Sequence, residues 1–317
     1  MTYTAHLYRS LKEAGHIPVL YRIRKRDEDN PRQFSGYDSV EYINISLKKA
    51  LTMAKEMPVL IVSSCNPKHL FDPDTATKLT RAGARVVLHD PSEFNNFPTR
   101  KWLYRPIVIR PAMLKLVENA VFVPHPYVRE FVENISDRQP RSLNAVCISR
   151  VTFKKRVHLI LEANRLVIAK DRVHILGRIN RMYGFHVLQK KFPEWKQLDP
   201  ISFAGTKQTW GAGASECAKA RFSVDMSWFP EDGGGSQYTF MEAWDAGTVN
   251  IVHTDWTKFK GEMKPGVNCI AVADSVELAS VLTYASNLDE IQDNGYQMLM
   301  QHAPMKVVEQ LIKEMNK

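Results

Sequence analysis

The chain has 317 residues, 44% of them hydrophobic and 24% charged, a length and balance that suit two domains of ordinary size with a sizeable core. Four scattered cysteines (Cys65, Cys147, Cys217, Cys269) form no C-x-x-C pair, which argues against a disulfide framework or a zinc site, and no apolar run approaches the roughly 18 residues that span a bilayer. The formal charge of +9 asks for an anionic partner, a nucleic acid or an anionic membrane surface, and the sequence predicts a cytoplasmic protein with no integral membrane segment.

In chain order, residues 3–14 read as a helix stopped at Gly15 and 17–23 as a strand. A helix over 47–56, a buried strand over 58–63, a helix over 74–81 with Asp74 as N-cap, and a strand over 85–88 follow. Residues 120–124 close the first half, and 136–142 (SDRQPRS) read as the linker. The second half alternates similarly, with strands at 145–148, 173–176, 201–204, 222–226, 249–252 and 270–272 separated by helices. Such alternation implies α/β architecture with parallel sheets and ligands at the carboxyl ends of the strands.

Residues 229–254 (FPEDGGGSQYTFMEAWDAGTVNIVHT) place Gly233, Gly234 and Gly235 before a short helix that carries Tyr238, Thr239 and Glu242. Backbone amides without side chains, followed by the positive end of a helix, favour a phosphate, and an acid one turn further on suits the hydroxyls of a ribose. Upstream, an apolar strand ends at Ser149, and Arg150 and Lys155 flank a short loop before a helix with Leu159, Ile160, Ala163 and Leu166 at helical spacing. Two cations at a strand-to-helix turn match a diphosphate that needs neutralising, although a solvated loop explains them as well.

These residues resemble the donor half of glycosyltransferases built from two Rossmann-like domains, the GT-B fold, in their retaining, glycogen-synthase-like group. Ser149-Arg150 through Lys155 matches that group's G-R-x-x-x-x-K loop with Ser for Gly, and Glu242 to Gly247 matches E-A-x-A-x-G. Gly234 stands where the group has an earlier acid, with Glu231 and Asp232 further upstream. Arg150–Lys155, Tyr238-Thr239 with Glu242, and 85–90 with Ser92 are also similar to the DNA alpha-glucosyltransferases of T-even phages, which glucosylate 5-hydroxymethylcytosine.

The resemblance implies two Rossmann-like domains with a cleft between them: an acceptor domain at 1–138, a nucleotide-sugar domain at 139–295, and a C-terminal helix at 296–317 crossing back to the first. The sequence opens almost inside the first helix, so the family's usual first strand is not seen before it; either the strand order is altered or the true start lies upstream. A UDP-sugar is the implied donor, glucose or arabinose among the candidates, with no metal required. The acceptor the resemblance implies is a hydroxymethylated base in double-stranded DNA. Arg178, after the 174–176 strand, and Thr206 and Lys207, after Phe203, fall where the family holds the donor or its base.

His89 and Asp90 follow an apolar strand that Pro91 ends, which places them to orient the acceptor hydroxyl or take its proton; a core histidine and a capping aspartate are the structural alternatives. Residues 99–115 carry Arg100, Lys101, Arg105, Arg110 and Lys115 with Trp102 and Tyr104 and no acid, a combination suited to phosphates and an extruded base, or to a solvated loop. A second cluster, Arg22, Arg24, Lys25 and Arg26, extends that basic track or simply solubilises the surface. Asp72-Pro73-Asp74 superficially has the form of a metal-binding D-x-D. A cell-envelope glycosyltransferase acting on a lipid or polysaccharide, and a non-catalytic binding module, are the competing functional classes.

Overall fold

The computed structural model describes residues 2–34, 37–62, 73–88, 105–115, 117–129, 141–193, 210–228, 237–258 and 261–317. They form two compact units, one of Met1–Val128 with Gln301–Lys317, the other the bulk of 129–300.

In unit 1, helix α1 (Thr2–Glu13) comes first, and the chain turns at Gly15, whose φ of +82° is left-handed. Strands β1 (Leu20–Arg24), β2 (Arg32–Phe34) and β3 (Tyr37–Ser46) make a sheet of order β1-β3-β2, with β1 parallel and β2 antiparallel to β3. The first strand begins at Leu20 rather than at residue 17, because Pro18 brings no N–H to a ladder and Ile17 is 93% exposed. β2 and β3 have no counterpart in the sequence reading, because Arg, Gln, Glu and Asn interleave their apolar residues in the manner of a surface loop.

Helix α2 (Leu47–Glu56) starts at Ser46, whose Oγ accepts the Lys49 N–H at 3.3 Å while Asp27 accepts the Ser46 N–H at 2.7 Å. Strands β4 (Leu60–Val62), β5 (Arg85–Leu88), β6 (Ile107–Val108) and β7 (Val121–Phe122) form a parallel sheet in that order, with α3 (Pro73–Arg81) between the first two. Pro73 occupies the first helical position, so Asp74 lies inside the first turn and is not the cap. Ile45, Ile61, Leu79, Val86, Leu88 and Val108 fill the core.

The sequence reading gave one terminal helix; there are two, because Pro304 cannot continue the first and instead opens a second, Pro304–Met315. That last helix is tied into unit 1 by Gln310, which donates to the Phe122 carbonyl at 2.6 Å, and by a 2.8 Å ion pair between Arg105 and Glu314.

Unit 2 alternates as expected: β8 (Leu143–Ile148), α4 (Val157–Leu166), β9 (Val173–Leu176), helix α5 over 181–191, α6 (Ala212–Ala218), β10 (Ala220–Asp225), α7 (Tyr238–Asp245), β11 (Val249–His253), β12 (Ile270–Val272), α8 (Ser275–Tyr284) and α9 (Asp289–Leu299). The five strands pair in parallel in the order β12-β11-β10-β8-β9. Buried Asn164 clasps Val173, donating to its carbonyl at 3.0 Å and accepting its N–H at 2.8 Å, which locks α4 to β9.

Leu166, expected on the apolar face of α4, is 59% exposed because the face that packs is Val157, Ile160, Leu161 and Asn164. Arg141, assigned to the linker, instead pins the start of β8, donating to Thr248 Oγ1 at 2.8 Å and to the carbonyls of Ala220 and Gly247. Residues 136–140 and the expected strand 201–204 lie outside the described residues. Cys147, Cys217 and Cys269 are free and buried, and burial pushes the Cys147 thiol up to about 12. Among the described residues no helix is long and apolar enough to cross a membrane, and no three or more His, Cys, Asp or Glu side chains are grouped to hold a metal.

Candidate functional site

The site lies at the carboxyl ends of the unit 2 strands. Pairing of β8 with β9 runs past their last strand residues: the Ser149 N–H bonds Leu176 O, the Val151 N–H bonds Arg178 O and the Asn180 N–H bonds Val151 O, at 2.9–3.0 Å. Close approach here requires Gly177, since a Cβ at that position would sit 1.7 Å from the Ser149 carbonyl oxygen. Arg150 and Arg178 thereby emerge from neighbouring strand ends, both exposed, and Arg150 has no hydrogen bond or ion pair among the described residues.

Lys155 closes a single 3-10 turn, Phe153–Lys155, after which Arg156 takes a left-handed conformation (φ 45°, ψ 38°) and α4 begins. The Lys155 side chain is only 12% exposed; its ammonium pairs with Asp225 Oδ2 at 2.9 Å and donates to Gln237 Oε1 at 3.1 Å. Asp225 ends β10 and also accepts the Ser227 N–H at 2.7 Å and its hydroxyl, while Gln237 immediately precedes α7. A single cation therefore ties the β8 loop, the end of β10 and the start of α7 together.

The N–H groups that open α7 carry the positive end of the helix dipole. In the same turn Thr239 Oγ1 is buried without a partner, a polar atom left for a ligand to satisfy. One turn on, half-buried Glu242 lies against Gly213 of α6, where a Cβ would meet its Oε2 at 2.2 Å. Arg156, next to Lys155, donates to Met226 O at 2.9 Å and pairs with Asp255 at 3.4 Å. His253, pushed down first by burial and then by Arg156, accepts the Asp255 N–H and contacts Ala273 O at 2.8 Å.

Of the residues singled out by sequence, Lys155 reaches Gln237, the residue just before Tyr238 and Thr239, Arg150 and Arg178 share adjoining strand ends, and Glu242 sits one turn further along α7. His89, Asp90, Arg100, Lys101, Trp102, Tyr104, Thr206, Lys207, Gly234 and Gly235 lie outside the described residues. Two expected phosphate contacts are engaged otherwise: Arg105 is paired with Glu314, and Arg110 is 8% exposed and so presents little charge to solvent. Asp225, Gln237 and Gly213 escaped the sequence reading; an acid directly after the apolar run 222–224 was the available signal for Asp225.

No protein-family model and no curated protein matches the chain. Solved structures do. An alpha-glucosyltransferase in complex with UDP and a 13-mer DNA containing a central A:G mismatch aligns with a TM-score of 0.70 at 13% identity over 100% of this chain and 95% of that one. An alpha-glucosyltransferase complex with UDP-glucose and abasic DNA gives 0.68 at 13% identity, covering 99% and 95%. Anabaena HepE in complex with UDP gives 0.64 at 13% identity, covering 85% and 81%. The chain has the two-Rossmann-domain GT-B fold of these proteins.

Proposed function

We propose that this chain is a glycosyltransferase that moves a sugar from a UDP-sugar to the hydroxymethyl group of a modified pyrimidine in double-stranded DNA, with retention at the anomeric carbon. The observation that carries the reading is the fixed Lys155 at the start of α7, beside the buried, unpartnered Thr239 hydroxyl and the exposed Arg150 and Arg178. It is supported by the fold shared with proteins solved in complex with UDP, UDP-glucose and DNA.

In this reading Arg150, Lys155, Arg178 and the amides of Gly234, Gly235, Tyr238 and Thr239 hold the diphosphate. Glu242 takes the ribose hydroxyls, and the backbone at Thr206 and Lys207 reads the uracil. The anomeric C–O bond to UDP breaks as the acceptor oxygen bonds to the same carbon. The hydroxyl proton passes to the departing phosphate oxygen, with His89 or Asp90 orienting the acceptor or taking that proton instead. Arg150 and Lys155 stabilise the charge that develops on UDP, the largest contribution in such a transfer. Glucose and arabinose are candidate sugars, no metal is assigned a role, and the cytoplasm is the assigned compartment.

UDP release measured side by side with unmodified and hydroxymethylated duplexes tests this. Release and label incorporation are expected with the modified duplex alone. Silence toward every hydroxymethylated DNA, alongside robust transfer to a lipid or polysaccharide, would replace the reading with an envelope enzyme.

A further inference from the structure

Strands β1 and β3 alternate strictly. Tyr21, Ile23, Ile43 and Ile45 turn to the core of unit 1, while Arg22, Arg24, Tyr42 and Asn44 share the other face, with Arg22 opposite Asn44 in the parallel register. Arg32 of β2 stands opposite Tyr42 and joins them. With Lys25, Arg26 and Glu28 these residues line a concavity of about 530 Å³.

Five cations face one carboxylate there. Glu28 is already committed: it accepts from Asn44 Nδ2 at 2.7 Å and pairs with Arg32 at 2.7 Å, bonds that hold its carboxyl below the usual range. Among the described residues Arg22, Arg24, Lys25 and Arg26 form no ion pair within 4 Å, and Arg24 acts on Glu28 only at longer range. Like charges packed on one sheet face repel and contribute nothing to folding, so this arrangement awaits a counter-charge from outside. Arg22 and Arg24 stand two residues apart on one strand, about 7 Å. Such spaced charges, continued by Lys25 and Arg26, fit a chain of phosphates better than a single small anion.

We propose that this concave face is a docking surface for the phosphodiester backbone of nucleic acid, with Arg22, Arg24, Lys25 and Arg26 neutralising phosphates. The inference rests on the DNA-acceptor reading above, and it assigns a contact to residues that reading leaves unused.

The test is duplex DNA binding by fluorescence anisotropy across salt concentrations, for the full chain and for the triple variant Arg22→Gln, Arg24→Gln, Arg26→Gln. A control variant, Lys55→Gln, Lys170→Gln, Lys190→Gln, removes the same net charge from exposed positions elsewhere. UDP affinity, measured in parallel, reports an intact fold. The triple variant should lower the log–log salt slope by roughly 2.7, about 0.9 per cation, and weaken binding at 0.1 M salt on the order of a hundredfold, while the control binds nearly as the native chain. Native affinity and slope in the triple variant overturn the surface and leave the acceptor reading standing. A native chain that fails to bind duplex DNA but binds anionic phosphatidylserine vesicles overturns both.

Discussion

The two units hold their cations in opposite ways. In unit 2 Lys155 is nearly buried, held by Asp225 and Gln237 and aimed by two strand ends and a helix start; in unit 1 Arg22, Arg24, Lys25 and Arg26 are spread over an open sheet face with no acid to fix them. A fixed charge in a dry, preorganised place reads geometry and acts on a developing charge, whereas a field of mobile charges supplies long-range, salt-sensitive attraction. The contrast suits one unit to a small diphosphate and the other to an extended polyanion.

The largest effect belongs to the fixed site. Lys155→Met leaves Asp225 buried without its cation and should lower stability by about 3 kcal/mol in denaturant unfolding, with loss of UDP binding. Retained UDP binding in that variant would break the comparison. Gly177→Ala should lower stability by roughly 2–3 kcal/mol, because its Cβ would force the ends of β8 and β9 apart against the Ser149 backbone carbonyl. Thermal unfolding reads it.

For unit 1 the sharpest expectation concerns pH. Burial, with a smaller contribution from Arg9, pushes His6 down to about 3, and its Nδ1 accepts the Val128 N–H at 3.1 Å while the ring stacks on Tyr127. The unfolded chain binds a proton near pH 6.5 that the folded one refuses, so this stabilisation is complete above that pH and is lost as pH falls toward 3, about 2 kcal/mol by pH 5. Unfolding of His6→Phe between pH 5 and 7 should be less stable throughout but flatter. An equal slope in both proteins would remove His6 from the account.

Arg150→Gln is expected to leave stability within about 0.5 kcal/mol, since the side chain is exposed, and to weaken UDP binding about tenfold, or roughly 1.4 kcal/mol. Gly213→Ala sharpens the same point. Its Cβ would displace the end of the Glu242 side chain and no backbone, so titration should show weaker UDP binding with only a small shift in melting temperature.

Much of unit 2 was legible because apolar runs of four to six residues ending in Arg150, Arg178 or Asp225 are what a parallel strand with a site at its carboxyl end must look like. The Lys155–Asp225 pair was not: 70 positions separate the partners, and only the β8–β10 pairing brings them within 3 Å. The close approaches at Gly177 and Gly213 were hidden for the same reason, since a glycine shows no sign in sequence of what lies against it. In unit 1 β1 was legible as a strand, but its partners β2 and β3 were not, because the face they share with it is charged. The polar alternation that disguised them is what builds the basic concavity.

The most direct measurement is titration of UDP into the purified chain in EDTA, native and with Arg150→Gln and Lys155→Met. Binding by the native chain without metal, about tenfold weaker in the first variant and abolished in the second, is the result expected. Undetectable native binding, or equal affinity in all three, would contradict a diphosphate held by these two cations.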